Sequence, residues 1–282
     1  MILITYATES KGYFLFLKLS CKRFNIKLIV LGLGEVWTDY NCKINSLKKY
    51  IIKNKLYEDI ICFVDAYDVI LLRDLDELEK IYLQDEINNK ILIGVENPEY
   101  KNINYITKEI FNYDKSFINT GVYISRGKNI LNMFKNMIKH VDDQYRITNY
   151  YNLNPDLFYI DKESKYILNY CNCLSQGSSK DIKISNNTLI YKDKYMPFFL
   201  HANGNTFIDN YLKDIGYNIK NRDIENIKKE YYLSFYKKII HYTMILKLYI
   251  VITILFINFS FIIFYNMTKI LIVNSKTFSL KL

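Results

Sequence analysis

The chain has 282 residues and a formal net charge of +9 at pH 7, and 50% of its residues are hydrophobic. This length fits one large domain with short additions, and the apolar content suffices for a folded core. We expect no nucleic-acid binding despite the positive charge, because the lysines are scattered and no basic block with interleaved aromatic residues occurs. The 5 cysteines lack metal-binding spacing, which favours free thiols.

The first part of the chain alternates short apolar strands with amphipathic helices. The predicted strands lie at residues 1–7, 26–31, 60–64 and 91–95. The predicted helices lie at residues 12–23, 43–53, 74–82 and 130–140. An Asn-Thr-Gly turn at 119–121 is expected to enter a further strand. This alternation predicts an α/β fold with a mostly parallel sheet and helices on both of its faces.

Two carboxylates, Asp65 and Asp68, interrupt the apolar stretch 60–72. Residues three apart on one continuous strand point to opposite faces, so we expect the chain to turn after Asp65. Both carboxylates then converge at the carboxyl end of the strand, where open α/β sheets bind ligands. A divalent cation would relieve their repulsion and desolvation. Acidic pairs are also common in solvated turns, so this motif alone leaves the metal site open.

Four further clusters carry side chains that bind ligands in other contexts. Trp37 follows a strand in a glycine-rich turn, where an indole either stacks on a planar base or covers the core. Asn119 opens the turn already mentioned, and the adjacent Asp142 and Asp143 follow a predicted helix, where carboxylates are often merely solvated. His201 leaves an apolar strand into a Gly/Asn-rich turn. There it either completes a metal site or has a structural role.

The C-terminal part has a different character. Residues 248–268 contain no charged side chain, and this length is what a helix needs to cross a bilayer. A buried core helix is the alternative interpretation. We expect a transmembrane helix at 244–268, after a basic linker or juxtamembrane helix at 223–243 and before a short tail at 269–282. This predicts a single-pass C-terminal anchor, with charge bias favouring a cytoplasmic catalytic domain and the secretory lumen as the alternative.

In this order the clusters resemble the glycosyltransferase domain of procollagen lysyl hydroxylases and of the related collagen galactosyltransferases. The resemblance covers nearly all of residues 1–215 and is carried by segments 4–13, 31–37, 43–49, 63–70, 117–121, 142–144 and 201–204. It implies a GT-A fold for residues 1–222, which is a Rossmann-like mixed sheet flanked by helices. It also implies a UDP-glucose or UDP-galactose donor and a Mn²⁺ ion.

Carried over residue by residue, the resemblance assigns a role to each cluster. The implied metal ligands are Asp65, Asp68 and His201. The implied catalytic residues are Asn119, Asp142 and Asp143. The implied donor-binding residues are Thr5, Ala7, Trp37, Lys43, Tyr67, Asn203 and Gly204. Two hard carboxylates and one imidazole suit Mn²⁺, which would stabilise a diphosphate leaving group as a Lewis acid.

The expected activity is therefore Mn²⁺-dependent transfer of glucose or galactose to a hydroxyl. The acceptor would be a protein, with hydroxylysine or galactosyl-hydroxylysine of a collagen-like protein as the candidate. Phe207 replaces a loop lysine of the resembling family, and Ser46 replaces a tryptophan. These departures leave two alternatives: a non-catalytic scaffold anchored to a membrane, and a glycosyltransferase whose acceptor is a glycan or a lipid.

Overall fold

The computed structural model describes residues 1–84, 86–96, 118–140, 142–170, 179–203 and 206–220, together with Lys247, Thr253 and Ser260. The chain divides into two compact units, Met1–Lys228 and Lys229–Leu282. All elements named below lie in the first unit. The predicted boundaries at 222, 243 and 268 fall among residues outside those ranges, so that division of the chain stays a prediction.

The described elements alternate between strand and helix along much of the first unit. The strands are β1 (Ile2–Tyr6), β2 (Leu28–Leu31), β3 (Ile60–Asp65), β4 (Val69–Leu71), β5 (Ile91–Val95), β6 (Ile118–Arg126), β7 (Phe158–Asp161), β8 (Ile167–Tyr170), β9 (Ile182–Ser185), β10 (Thr188–Tyr191) and β11 (Phe199–Ala202). The helices are α1 (Phe14–Arg23), α2 (Asn41–Lys53), α3 (Leu75–Tyr82), α4 (Gly127–Asn136), α5 (Asp143–Leu153) and α6 (Asp209–Asp214), with a 3-10 turn at Pro155–Leu157.

The central sheet has six strands in the order β2-β1-β3-β6-β5-β7. Strand β1 pairs in parallel with β2 and β3, and β7 pairs in parallel with β5. Strand β6 runs antiparallel to both of its neighbours, β3 and β5. The α/β class and the mixed sheet are therefore confirmed. A smaller sheet in the order β4-β11-β8 joins the end of this layer, and β9 and β10 form a separate hairpin.

Helices cover both faces of the central sheet because neighbouring residues of its strands point to opposite sides. Leu3 packs with residues of α1 and α3 in one buried cluster. The next residue, Ile4, packs with residues of α2, α4 and α5 in the other. These two apolar layers hold the central strands rigidly, so that their carboxyl ends can serve as a platform for polar residues.

One local expectation was wrong, and one predicted helix has different bounds. The segment 119–121 is not a turn, because all three residues lie inside β6. Glycine is required at position 121 because the ring of His201 occupies the space that a Cβ would fill. The helix expected at 130–140 is Gly127–Asn136. The Asp142–Asp143 pair follows that helix as expected, and it also opens α5, since the Asp142 Oδ1 atom accepts a hydrogen bond from the Tyr145 N–H.

Within the described ranges, no helix is long and apolar enough to cross a membrane. The segment 244–268 lies outside those ranges except for Lys247, Thr253 and Ser260, so the membrane anchor stays a prediction. Cys21, Cys42 and Cys62 are free thiols, whereas Cys171 and Cys173 also fall outside the described residues.

Candidate metal centre and its surroundings

The metal centre predicted from sequence assembles where two sheets meet. Strand β3 ends at Asp65 and β4 begins at Val69, so the chain turns between the two aspartates as expected. Strand β11 pairs with β4 and places His201 opposite Val69. One ligand atom from each of Asp65, Asp68 and His201 lies within 4.8 Å of the others. Residues far apart in sequence thus converge on one point.

The imidazole of His201 is buried and held in a defined orientation. Its Nδ1 atom lies 3.0 Å from the Asn169 Oδ1 atom, and its Nε2 atom lies 3.3 Å from the Asp68 Oδ2 atom. A Cβ at Gly121 would lie 2.2 Å from the ring, so only glycine permits this position. Burial lowers the pKa of His201, but the carboxylates of Asp68, Asp65 and Glu96 together outweigh that effect, so the net shift of the pKa is upward.

The donor set fits a divalent cation. The Asp68 Oδ1 atom is buried and has no hydrogen-bond partner. A buried carboxylate oxygen without a partner is costly, and a cation would stabilise it. When the His201 Nδ1 atom donates a hydrogen bond to the Asn169 amide oxygen, its Nε2 atom is available as a metal ligand. The two carboxylates supply the other ligand atoms. Asp65, Asp68 and His201 can therefore hold a divalent metal ion.

Lys43 lies beside these ligands rather than at a distance from them. Its Nζ atom is 2.9 Å from the Asp65 Oδ1 atom and 2.7 Å from the Asp143 Oδ2 atom. Burial lowers the pKa of Lys43, but the two carboxylates raise it well above its ordinary value. Burial raises the pKa of Asp65, and Lys43 opposes this only in part. The cluster of Asp65, Asp68 and Asp143 with one lysine carries excess negative charge, which a cation would neutralise.

The two adjacent aspartates have different environments. Asp143 is 4% exposed and paired with Lys43, whereas Asp142 is exposed and serves as the N-cap of α5. A helix with 3.6 residues per turn points neighbouring side chains about 100° apart, so only one of the pair faces the metal centre. The structure thus brings Asp143 to the centre and leaves Asp142 at the surface.

Glu96 gathers the predicted amide residues, and sequence analysis missed it. Its Oε1 atom accepts hydrogen bonds from Asn119 Nδ2 at 3.1 Å and from Gln144 Nε2 at 2.8 Å. Its Oε2 atom accepts one from Asn203 Nδ2 at 2.5 Å. The available signal was position, because Glu96 directly follows the buried strand β5, much as Asp65 ends β3. Gly204 lies outside the described residues.

Trp37, a predicted donor-binding residue, forms an open aromatic shelf with Tyr6 and Tyr40, which sequence analysis did not single out. Trp37 is 43% exposed, and its ring lies 5.9 Å from that of Tyr6 and 5.5 Å from that of Tyr40, centroid to centroid. The Tyr40 ring in turn lies 5.5 Å from the Lys43 Nζ atom. The aromatic shelf therefore lies next to the buried charged cluster, on its solvent-exposed side.

The remaining donor-binding candidates line the carboxyl end of β1. The Thr5 hydroxyl donates to the Val64 carbonyl at 2.7 Å, and the Ala7 N–H donates to the Leu31 carbonyl at 2.9 Å. The Tyr67 hydroxyl accepts a hydrogen bond from the Thr8 N–H at 2.9 Å. These contacts occupy the backbone of Ala7 and the hydroxyls of Thr5 and Tyr67 within the fold.

Tyr13 connects the segment after His201 to the aspartate turn, a link that sequence analysis did not find. The buried Tyr13 hydroxyl donates to the Asp209 Oδ1 atom at 3.0 Å and accepts from the Ile208 N–H at 3.0 Å. The Tyr13 N–H donates to the Tyr67 carbonyl at 2.7 Å. The Ala202 N–H donates to the Asp68 carbonyl at 2.6 Å. Hydrogen bonds therefore connect this segment to the aspartate turn directly at Ala202, and through Tyr13 at Ile208 and Asp209.

Comparison with known proteins finds a matching family model and related sequences. The family model of the PLOD GT domain matches residues 1–224. The human multifunctional procollagen lysine hydroxylase and glycosyltransferase LH3 is 31% identical over 236 residues, covering 75% of this chain and 31% of that protein. The multifunctional procollagen lysine hydroxylase and glycosyltransferase of Caenorhabditis elegans is 29% identical over 187 residues, covering 60% and 24%. The chain thus spans less than a third of either relative.

Among solved structures, a glycosyltransferase involved in the glycosylation of the major capsid of PBCV-1 matches 72% of this chain and 94% of its own. The sequence identity is 12% and the TM-score is 0.40. A TM-score this low supports no conclusion. The family match, in contrast, confirms the resemblance to the glycosyltransferase domain of procollagen lysyl hydroxylases.

Proposed function

This chain belongs to the PLOD GT domain family, and on that premise we propose that it is a Mn²⁺-dependent glycosyltransferase of GT-A fold. The donor is UDP-glucose or UDP-galactose, and the hexose is transferred to a hydroxyl group. The observation that carries the proposal is the convergence of Asp65, Asp68 and His201 within 4.8 Å, with the Asp68 Oδ1 atom buried and unpartnered.

In this proposal the three ligands hold a Mn²⁺ ion, whose hard-to-borderline preference matches two carboxylates and one imidazole. When bound, the ion supplies Lewis-acid stabilisation of the diphosphate leaving group. The fold supplies orientation: Asn169 and Gly121 fix the His201 ring, and the Ala202 N–H fixes the carbonyl of Asp68. Because these groups are positioned before any ligand arrives, little reorganisation is needed on binding.

Lys43 and Asp143 have linked roles in the proposal. The Lys43 ammonium is buried between two carboxylates and remains protonated, so it adds a fixed positive charge beside the donor diphosphate. Asp143 keeps that ammonium in place, and its side-chain oxygens can accept hydrogen bonds from sugar hydroxyls. We assign this role to Asp143 and not to Asp142, because Asp142 is engaged in capping α5.

The amide residues around Glu96 belong to the same proposal. Asn119 and Asn203 both donate to Glu96, so their orientations are coupled through one carboxylate. Asn119 also accepts a hydrogen bond from the Gly121 N–H at 2.9 Å through its Oδ1 atom, which ties it to the glycine behind His201. We propose that this group of residues contacts the donor hexose.

We propose a protein hydroxyl as acceptor, on the basis of relatives whose names include procollagen lysine hydroxylase and glycosyltransferase. Hydroxylysine or galactosyl-hydroxylysine of a collagen-like protein is the candidate. A C-terminal membrane anchor at 244–268 is proposed from the uncharged stretch alone. A glycan or lipid acceptor is the alternative that an acceptor screen would distinguish.

The decisive experiment measures release of UDP by the purified full chain from a panel of UDP-sugars, with Mn²⁺, with Mg²⁺ and with EDTA. We expect turnover with UDP-glucose or UDP-galactose that requires Mn²⁺ and rises when a hydroxylysine peptide is added. Metal-dependent UDP binding without turnover of any donor would favour the scaffold alternative. Turnover that is equal in EDTA would refute the metal assignment.

A further inference from the structure

Helix α1 and the start of β2 form a basic groove at the end of the sheet opposite to the metal centre. The groove has a volume of about 370 Å³ and is lined by residues that include Lys18, Lys22 and Lys27. Its base includes Cys21, which is buried, and Leu28. We name this feature the basic groove and infer that it is a docking surface for anionic phospholipid headgroups.

The first argument is charge. Lys18, Lys22 and Lys27 are exposed, and no carboxylate of the described chain forms an ion pair with any of them. Three ammonium groups around one groove repel each other until an anion is present. Anionic lipid attracts such clusters, because each lysine near the membrane surface contributes favourably to the free energy of binding.

The second argument is the apolar component of the same surface. Leu15 is 41% exposed and Leu19 is 38% exposed on α1. They recur with Lys18 and Lys22 at the i, i+3, i+4 and i+7 spacing that puts residues on one helical face. A nucleic-acid backbone offers no apolar surface to exposed leucines. At the boundary between lipid headgroups and acyl chains, leucines can be buried while lysines bind the anionic headgroups. This selects a membrane surface as the occupant.

The third argument is position. Leu28 at the groove pairs with Leu3, while Asp65 at the metal centre pairs with Tyr6 at the other end of β1. Helix α1 begins beside the aspartate turn, where the Tyr13 N–H meets the Tyr67 carbonyl, and it runs away from it for 10 residues. That is about 15 Å at the rise of an α-helix. A membrane at the basic groove therefore leaves the metal centre facing away from the lipid.

This orientation has a consequence for the acceptor, which rests on the proposed function. A site that faces away from the docked bilayer can reach a protein hydroxyl in the aqueous phase. It cannot reach a hydroxyl in a lipid headgroup of the same membrane. The basic groove therefore favours the protein acceptor over the lipid acceptor.

The test is hydrogen exchange of the full chain with vesicles of phosphatidylcholine alone, and with vesicles of phosphatidylcholine and phosphatidylserine in equal parts. We expect slower exchange in residues 14–28 only on the phosphatidylserine vesicles, with no change in residues 33–40 beside the metal centre. High salt should reverse the effect. Protection of 33–40 instead of 14–28, or equal protection on both vesicles, would overturn the proposal.

Charge reversal provides the matched variants. The triple variant K18E/K22E/K27E should lower the phosphatidylserine-dependent part of vesicle affinity by about ten-fold or more. The control K48E/K49E/K53E changes three exposed lysines of α2, on the other face of the sheet, and should lose far less. An equal loss of affinity in both variants would show a general charge effect and would refute lipid docking at the basic groove.

UDP release from the UDP-sugar panel is measured in parallel. If no donor is turned over but residues 14–28 are still protected on phosphatidylserine vesicles, the enzyme proposal is rejected and the docking proposal stands.

Discussion

The buried charged cluster and the aromatic shelf beside it are built in opposite ways. In the cluster, Asp65, Asp143 and His201 each have at least one defined side-chain partner and little freedom to move. On the shelf, Trp37 is half-exposed and packs against the rings of Tyr6 and Tyr40. Charged groups need fixed partners once they are removed from water, whereas a planar ring serves as a stacking surface without them. The cluster is suited to a small cation, and the shelf is suited to a planar base.

The largest expected effect tests the cluster. Replacing Asp65 or Asp68 by alanine removes a metal ligand, so we expect metal-dependent UDP release to be abolished. The matched control is Glu58→Gln, which changes an exposed carboxylate that pairs with Lys128 and not with a residue of the cluster. Near-normal activity in either aspartate variant would contradict the metal assignment.

The next effect separates the two neighbouring aspartates. Asp143→Asn weakens the charge that fixes Lys43 and should reduce UDP release by about 10²-fold, comparable to losing one preorganised electrostatic contact. Asp142→Asn preserves an N-cap residue of similar preference and should change both activity and stability little. Steady-state kinetics and urea unfolding of both variants check this. Equal losses of activity in the two variants would contradict the assignment of the catalytic role to the buried Asp143 rather than to the exposed Asp142.

Metal addition should stabilise the cluster more than the shelf. Because a ligand that binds only the folded state raises its stability, Mn²⁺ at about 100 times its dissociation constant should add about 2.7 kcal/mol to the free energy of unfolding. Thermal unfolding with Mn²⁺ and with EDTA measures the change. The increase should vanish in His201→Ala and persist in Trp37→Ala. A metal effect that survives in the histidine variant would place the ion elsewhere.

The smallest effect concerns the shelf itself. Trp37→Ala should weaken UDP binding by about ten-fold, since stacking of a base on an aromatic ring contributes about 1–3 kcal/mol. It should leave the melting temperature unchanged, because the side chain is 43% exposed. Calorimetry with UDP and Mn²⁺ compares it with Trp37→Phe, which should retain most of the affinity. A strong loss of stability would instead assign Trp37 to the core.

Sequence patterns predicted the strands and helices that build the platform, and they predicted the turn between Asp65 and Asp68. Both follow from local rules: strand periodicity and the burial of apolar runs. The expectation for residues 119–121 was wrong. The segment 119–121 has turn residues, yet it is a buried strand because Gly121 makes room for a histidine 80 residues away in sequence. No local propensity contains that information.

By itself the sequence determined the α/β alternation, the family and the residue types that a metal centre needs. Only the tertiary structure decided which of the neighbouring aspartates faces the centre, and that Lys43 lies between Asp65 and Asp143. It also revealed Glu96 and Tyr13 as links between distant segments. The physical reason is that periodicity sets which face a residue occupies, whereas the packing of separate elements sets which buried charges meet.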